Sequence, residues 1–531
     1  MNALTGTGAL IRLALRRDRI RMPVWILVFA VSTIGAAAAT AGLYPTAASR
    51  IEFSTSANAV PALVALYGPI YDPASLGAVS MLKLTAFGAA LVALLTILTV
   101  VRHTRAEEEA GRHELLGAAE VGRSAPLAAG LVAAALNSFL IGAVTAVGLI
   151  LIGLPVGGSL TEGLGWTFAG FTFGALAAVT AQLSKTSRVA SSLAITALGA
   201  AYFLRAVGDS AGPEWLSWLS PIGWVQQVRP FAGDRWALLL IPLAVTAALT
   251  VLAVRLAHRR DAGAGLIAER TGHAHAGRGL RGAWGLVWRL NRGGLLTWTS
   301  VFLLLGLVCG NIASSVGDFL GNDRAKEFIA ALGGEKGIAD SFLAAEFGAM
   351  GVIASVYAIL VVIHLHTEER GLKVELLLAT GLSRTRLMGV YLAFALAASV
   401  LLAAVVGASA GVMYGLQIGD VGGQVPRLLG AALAPLPAVW AMAGLAAALF
   451  GFLPRWLAVA WAALVGFLLL GEFGVLLRAP QWVLNLSPFT HLPKLPDVTV
   501  TFSPLVWLTA LAVLLTAAGV AGFRRRDINA V

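Results

Sequence analysis

Two strings of charge stand out in a chain that otherwise carries little. One reads Glu107-Glu108-Glu109-Ala110-Gly111-Arg112-His113-Glu114-Leu115-Leu116 and runs on to Arg123. The other reads Glu368-Glu369-Arg370-Gly371-Leu372-Lys373-Val374-Glu375-Leu376-Leu377 and runs on to Arg384. On a helix Glu108 and Arg112 are i,i+4 neighbours with the acid first, as are Glu369 and Lys373, an arrangement worth about 0.2–0.5 kcal/mol per exposed pair. The leucine pairs that follow, Leu115/Leu116 and Leu376/Leu377, face something other than water. Acid, base and paired leucines make a docking surface for another protein, not a reaction centre. Bond-making chemistry is not evident elsewhere. The sequence has no G-x-x-x-x-G-K-[ST] phosphate loop, so the chain hydrolyses no ATP unaided, and no hydrolase triad stands out. His273-x-His275 lies in a Gly/Arg-rich stretch with no further ligands beside it, and His364 and His366 end an apolar run. No catalytic residue and no metal ligand is assigned.

The elements that must position these strings are membrane helices. Of the 531 residues 58% are hydrophobic and 12% charged, and the mean hydropathy is +0.83, far from the roughly 25% charge of soluble domains. Apolar runs long enough to cross a ~30 Å hydrocarbon core recur throughout, and the alternating ten-residue pattern of a β-barrel is absent. Spans are expected near 22–43, 81–102, 126–153, 164–184, 189–207 and 237–257, then 295–315, 345–366, 387–414, 428–452, 456–477 and 506–523. The fold class is therefore an all-α polytopic membrane protein of about 12 transmembrane helices. The basic stretch before residue 22 reads as the flank of an uncleaved first span. The net charge of +11 is the basic flanking of spans rather than a nucleic-acid footprint, and its distribution puts both termini in the cytoplasm.

The spans form two similar sets of six. Leu219-Ser220-Pro221 returns as Leu486-Ser487-Pro488 at an offset of 267, and Arg259-Arg260-Asp261 as Arg525-Arg526-Asp527 at 266. Glu114-Leu115-Leu116 and Arg123 return at 261; Arg16, Arg19 and Trp25 return as Arg289, Arg292 and Trp298 at 273. The order and near-constant spacing of these weak matches point to a duplication, with the halves in the same orientation. The first half covers 1–257, a polar cytoplasmic linker 258–282, and the second half 283–531. Each half opens with an interfacial helix, basic on one side and apolar on the other: Leu10, Ile11, Leu13 and Leu15 against Arg12, Arg16 and Arg19 in the first, Trp284 and Trp288 with Arg289 and Arg292 in the second.

The pattern E-E-x-G-x-x-E-L-L…R between second and third spans, repeated in the second half with one more residue between its glycine and glutamate, resembles the permeases of ABC-2 type exporters. With R-R-D closing each half, the whole chain looks like the fused permeases of the tetronasin/polyketide-antibiotic exporter group. That resemblance implies a bacterial plasma-membrane exporter of hydrophobic or amphipathic compounds, a route to drug efflux and antibiotic resistance. It implies that Glu107, Glu108, Gly111, Arg112, Glu114, Leu115 and Leu116, and Glu368, Glu369, Gly371, Lys373, Glu375, Leu376 and Leu377, form helices that dock on two copies of a separate ATPase subunit. ATP and Mg would bind that partner and no cofactor this chain. The substrate route would run between the halves past Phe87, Tyr202, Phe347 and Tyr357.

Arg205 and Glu472 fall on equivalent positions near the outer ends of the fifth and eleventh spans. Ionisable groups in lipid are usually paired, so the two are expected to pair across the halves as an outer latch. An ion-coupled secondary transporter with six-plus-six repeats is the alternative; the absence of a convincing buried carboxylate in the spans counts against it.

Overall fold

The computed structural model describes residues 3–112, 120–210, 213–261, 263–267, 275, 277, 282–315, 334–473, 480–493, 495–496 and 502–527. The described residues form helices and connecting turns without a strand, and eleven helices are long and apolar enough to cross a membrane. Of the expected eleventh span, 456–477, the described residues form the helix Ala458–Phe473, and residues 474–477 lie outside the described residues. The protein is thus an all-α, multi-pass membrane protein. The chain divides into two compact units, Met1–Thr271 and Gly272–Val531.

In the first unit a short helix α1 (Thr7–Arg17) ends at Asp18, and α2 (Arg21–Leu43) begins after a break of three residues. Three short helices follow, α3 (Ala47–Ala59), α4 (Pro61–Tyr67) and α5 (Leu76–Met81). Next come α6 (Thr85–His103), α7 (Arg105–Glu109), α8 (Ala125–Leu151), α9 (Val156–Leu183) and α10 (Ser187–Ser210). The unit closes with α11 (Trp215–Trp218), α12 (Pro221–Gln227) and α13 (Leu240–Arg259). The centre of the unit is α9, packed against α6, α8, α10 and α13, with Trp166 and Phe173 fully buried on it. Lipid tails offer helices no hydrophobic advantage, so close backbone approach must hold them together. Gly142 of α8 and Gly163 of α9 supply it: a Cβ on Gly142 would lie 2.2 Å from the Gly163 carbonyl oxygen, and one on Gly163 2.3 Å from that of Gly142. Gly163→Val should destabilise the protein by about 1–3 kcal/mol, as overpacking does, read as a lowered melting temperature in detergent; an unchanged melt would remove this contact from the packing argument.

The second unit repeats the plan with longer elements. It holds α14 (Ala283–Ser315), α15 (Gly334–Arg370), α16 (Lys373–Leu378) and α17 (Arg384–Ile418). These are followed by α18 (Val421–Leu433), α19 (Leu436–Phe452), α20 (Ala458–Phe473), α21 (Gln481–Leu484) and α22 (Phe502–Arg525). The repeated Leu-Ser-Pro is a helix start in both units. Ser220 and Ser487 accept from the N–H of Gly223 (3.1 Å) and of Phe489 (3.3 Å), each with proline at the first helical position.

One expectation changes. The basic entrance of the second unit is not a separate interfacial helix but the first turns of α14, which runs unbroken for 33 residues. Asp18 stops the helix in the first unit, whereas its counterpart Asn291 donates to the Val287 carbonyl one turn back (2.8 Å) and stays inside.

Candidate functional site

The three acids of the first string each grip a different element. Glu107 takes Arg17 of α1 (2.8 Å) and Arg112 (2.8 and 3.0 Å). Glu109 accepts from the N–H and hydroxyl of Ser187 (2.9 and 2.6 Å) at the start of α10. Glu108 turns inward to Arg260, just past α13, whose Nη1 and Nη2 donate at 2.6 and 2.7 Å; the Gly263 N–H adds 2.6 Å and Arg105 Nη1 2.8 Å. Arg105 is itself buried and reaches the carbonyls of Lys185 and Ala264, both at 2.9 Å, while Arg260 Nε donates to Gln182 (2.6 Å). The expected Glu108–Arg112 pair is therefore replaced. The helix α7 ends at Glu109, and Gly111 turns the chain at φ 71°, so the i,i+4 geometry never forms.

The second string does the same in its own unit. Glu368 takes Lys373 (3.4 Å) and lies 3.4 Å from His364. Glu369 turns inward to Arg526, past α22, at 2.6 Å, with His366 at 3.9 Å. The expected Glu369–Lys373 pair likewise gives way, because α15 stops at Arg370 and Leu372 adopts φ 60° before α16 begins. Arg526 also lies over the rings of Phe450 (4.9 Å) and Phe523 (5.3 Å).

These pairs give the repeat markers a structural meaning. Arg123 donates to the Arg260 carbonyl at 2.7 Å, and Arg384 to the Arg526 carbonyl at 2.6 Å. In each unit one acid from the second span's end, one arginine from the third span's start and one arginine after the last span close the same clamp. Three membrane helices are tied at one point, directly beside the charged segment. Removing one partner of such a buried pair leaves an uncompensated charge.

Beyond the clamps the two segments differ in what is visible. Glu114, Leu115 and Leu116 lie outside the described residues. In α16, Val374 is buried and Leu377 packs on the unit's core, while Lys373, Glu375 and Leu376 are exposed, Leu376 by 72%. Gly371 is exposed at the turn before it.

Arg205 is fully buried at the opposite end of the first unit. Its guanidinium donates to the carbonyls of Ala65 (2.7 Å) and Leu66 (3.0 Å) and to Gln226 (3.2 Å), lies 3.6 Å from Asp209, and stacks 4.4 Å from the Tyr202 ring. These bonds pin α4 to α10 and α12. The Glu472 side chain lies outside the described residues. Arg205→Gln should cost about 2–3 kcal/mol, the worth of charge-assisted hydrogen bonds, and free the 44–80 segment. Limited proteolysis of that segment in intact membranes checks it, and unchanged cleavage would count against the anchor.

Of the four aromatic residues expected along a substrate route, Phe87 is exposed. Tyr202 donates its hydroxyl to the Leu66 carbonyl, and Phe347 and Tyr357 are packed into the second unit's core, Tyr357 against Trp298 at 5.5 Å. The helix α9 begins at Val156, earlier than the expected 164, and so takes Glu162 into a membrane helix. Glu162 is fully buried, accepting from Thr85 (3.1 Å) with its Oε1 unpartnered. A single Glu, the seventh residue of an otherwise apolar helix, was the signal for it. Among the described residues no group of His, Cys, Asp and Glu could hold a metal.

A family model described as the multidrug efflux system permease Rv1217c, C-terminal domain, matches residues 9–257 and 280–524. The multidrug efflux system permease protein Rv1217c of Mycobacterium tuberculosis (strain ATCC 25618 / H37Rv) is 44% identical over 531 residues, covering 99% of this chain and 96% of that relative. Glu108 and Arg123 of the first clamp and Glu369 and Arg384 of the second lie inside the matched stretches, while Arg260 and Arg526 fall two to three residues beyond their ends. With eleven long apolar helices among its described residues and a match over nearly its whole length, this chain belongs to the Rv1217c family of multidrug efflux system permeases.

Proposed function

We propose that this chain is the membrane subunit of an ATP-driven exporter of hydrophobic or amphipathic drugs, of the kind the tetronasin/polyketide-antibiotic exporters represent. Two copies of a separate ATPase subunit dock on the two charged segments and bind the ATP and Mg. The protein sits in the bacterial plasma membrane with both termini in the cytoplasm, its halves arranged as 1–257, a linker 258–282, and 283–531. The observation that carries the reading is the repeated clamp: a push on either charged segment reaches three membrane helices through one buried ion pair. Of the aromatic residues, Phe87 is the one whose ring is free to meet a substrate. Arg205 holds α4 within its own half through its Nη1 and Nη2 atoms while its Nε has no partner, and with Glu472 it forms the outer latch. Co-purification with the ATPase, and drug-stimulated ATP hydrolysis by the pair in proteoliposomes, test this reading. Transport that persists without ATP and collapses with the proton gradient overturns it.

One observation favours a second reading. A carboxyl inside a membrane helix, as Glu162 is, is what an ion-coupled secondary transporter would use to carry a proton. Under that reading Glu162→Gln abolishes gradient-driven transport. Under the first it leaves ATP-driven transport in place.

A further inference from the structure

The first unit contains a cavity of about 230 Å³ at the joint between α1 and α2. One end is charged: Asp18, Arg21 and Arg102 line it, with Arg102 bonded to Asp18 and His103 Nε2 2.5 Å from the same carboxylate. The walls are apolar, made by Leu15, Met22, Trp25, Leu95 and Leu98, of which Trp25 and Leu98 are exposed, so the cavity opens sideways where the bilayer lies. Its deep end holds Asn137, 7% exposed, with Oδ1 unpartnered. Gly130 packs beside His103, and Asn137 is two helical turns further on, about 10 Å at 1.5 Å per residue.

The second unit supplies a control within the same chain. At the repeat offsets of 273 and 261, Asn291 replaces Asp18, Gly294 replaces Arg21, Ile363 replaces Arg102 and Ala398 replaces Asn137. Phe394 stands where the first unit has Ala133, and Trp288 stands at Leu15; their rings pack 6.2 Å apart. The space Ala133 leaves open is thus filled by aromatic side chains in the second unit, and both of the cavity's cations are absent there.

We propose that this cavity binds an anionic phospholipid from the leaflet on the Asp18 side. The two guanidiniums against one carboxylate leave a net positive end for the phosphate. One acyl chain lies along Met22, Trp25 and Leu98, and the Asn137 amide meets the polar ester atoms part-way down. The inference needs neither ATP nor a partner, so it stands or falls separately from the export reading.

The test is tryptophan quenching in the full-length purified protein, titrated with dibrominated phosphatidylglycerol or dibrominated phosphatidylcholine, with Trp25→Phe isolating the Trp25 component. The glycerol lipid should quench that component at a roughly fivefold lower mole fraction, about what one extra arginine contributes near an anionic surface. Ala133→Phe, which installs the second unit's own residue, should abolish the preference. Arg21→Gln, at an exposed position, should weaken it. Equal quenching by both lipids in the unaltered protein overturns the proposal. So does a preference that survives Ala133→Phe while falling in Arg21→Gln, since that describes surface attraction without a cavity.

Discussion

Glu108→Gln should cost the folded protein about 3–5 kcal/mol, the penalty for stranding a buried charge. The carboxylate of Glu108 faces two guanidiniums, those of Arg105 and Arg260, and the Gly263 N–H. A neutral amide leaves both cations close together, with Arg105 fully buried. Glu369→Gln should cost less, about 1–3 kcal/mol, because Arg526 alone depends on it among guanidiniums and keeps its two aromatic faces. Thermal unfolding of the purified variants in one detergent measures both, and the expected order is Glu108→Gln below Glu369→Gln below the unaltered protein. Adding Arg260→Met to Glu108→Gln should recover part of the loss, since an apolar replacement removes one of the stranded charges. Equal melting of all three would mean that the clamps do not hold the helices together.

The residues of the clamps were legible in the sequence, but their pairing was not. Glu108, Arg123 and Arg260 mark the repeat because they recur with Glu369, Arg384 and Arg526, and a duplicated chain keeps what its fold needs. Their bonds join residues 137 and 152 positions apart, whereas helix spacing reveals only neighbours three or four apart. The local rule therefore paired Glu108 with Arg112, and a single left-handed glycine at 111 defeats it. Apolar runs located the spans well because lipid demands them. They misplaced the start of α9, since Glu162 reads as a boundary when its partner Thr85 lies 77 residues away. Arg205 was singled out for its cost in a membrane, and the structure meets that cost with carbonyls of Ala65 and Leu66. An i,i+4 or repeat-offset search sees ionisable side chains and overlooks such backbone acceptors. Asp18 against Asn291 was also unreadable in advance: the first ends a helix and the second continues one, although both are ordinary capping residues by type.

Leu376→Glu should leave stability nearly untouched and disable coupling to the proposed ATPase subunit. The side chain is 72% exposed on a short helix whose neighbour Val374 is buried and whose Leu377 packs inward. Surface substitutions of that kind usually change stability by less than about 0.5 kcal/mol. An exposed leucine flanked by Lys373 and Glu375 is, however, what an apolar anchor with a polar rim looks like before its partner arrives. Placing a carboxylate there should weaken association by about 2 kcal/mol or more, roughly 30-fold in Kd. Leu377→Ala should do the reverse, lowering the melting temperature through a cavity while the folded fraction still binds. Binding of the purified ATPase to immobilised protein, measured beside a melting curve for each variant, separates the two effects. If Leu376→Glu binds the ATPase as the unaltered protein does, α16 is not the docking surface. The clamp at Glu369 would then be a device for stability alone, because the push it is built to pass on would have no point of entry in this half.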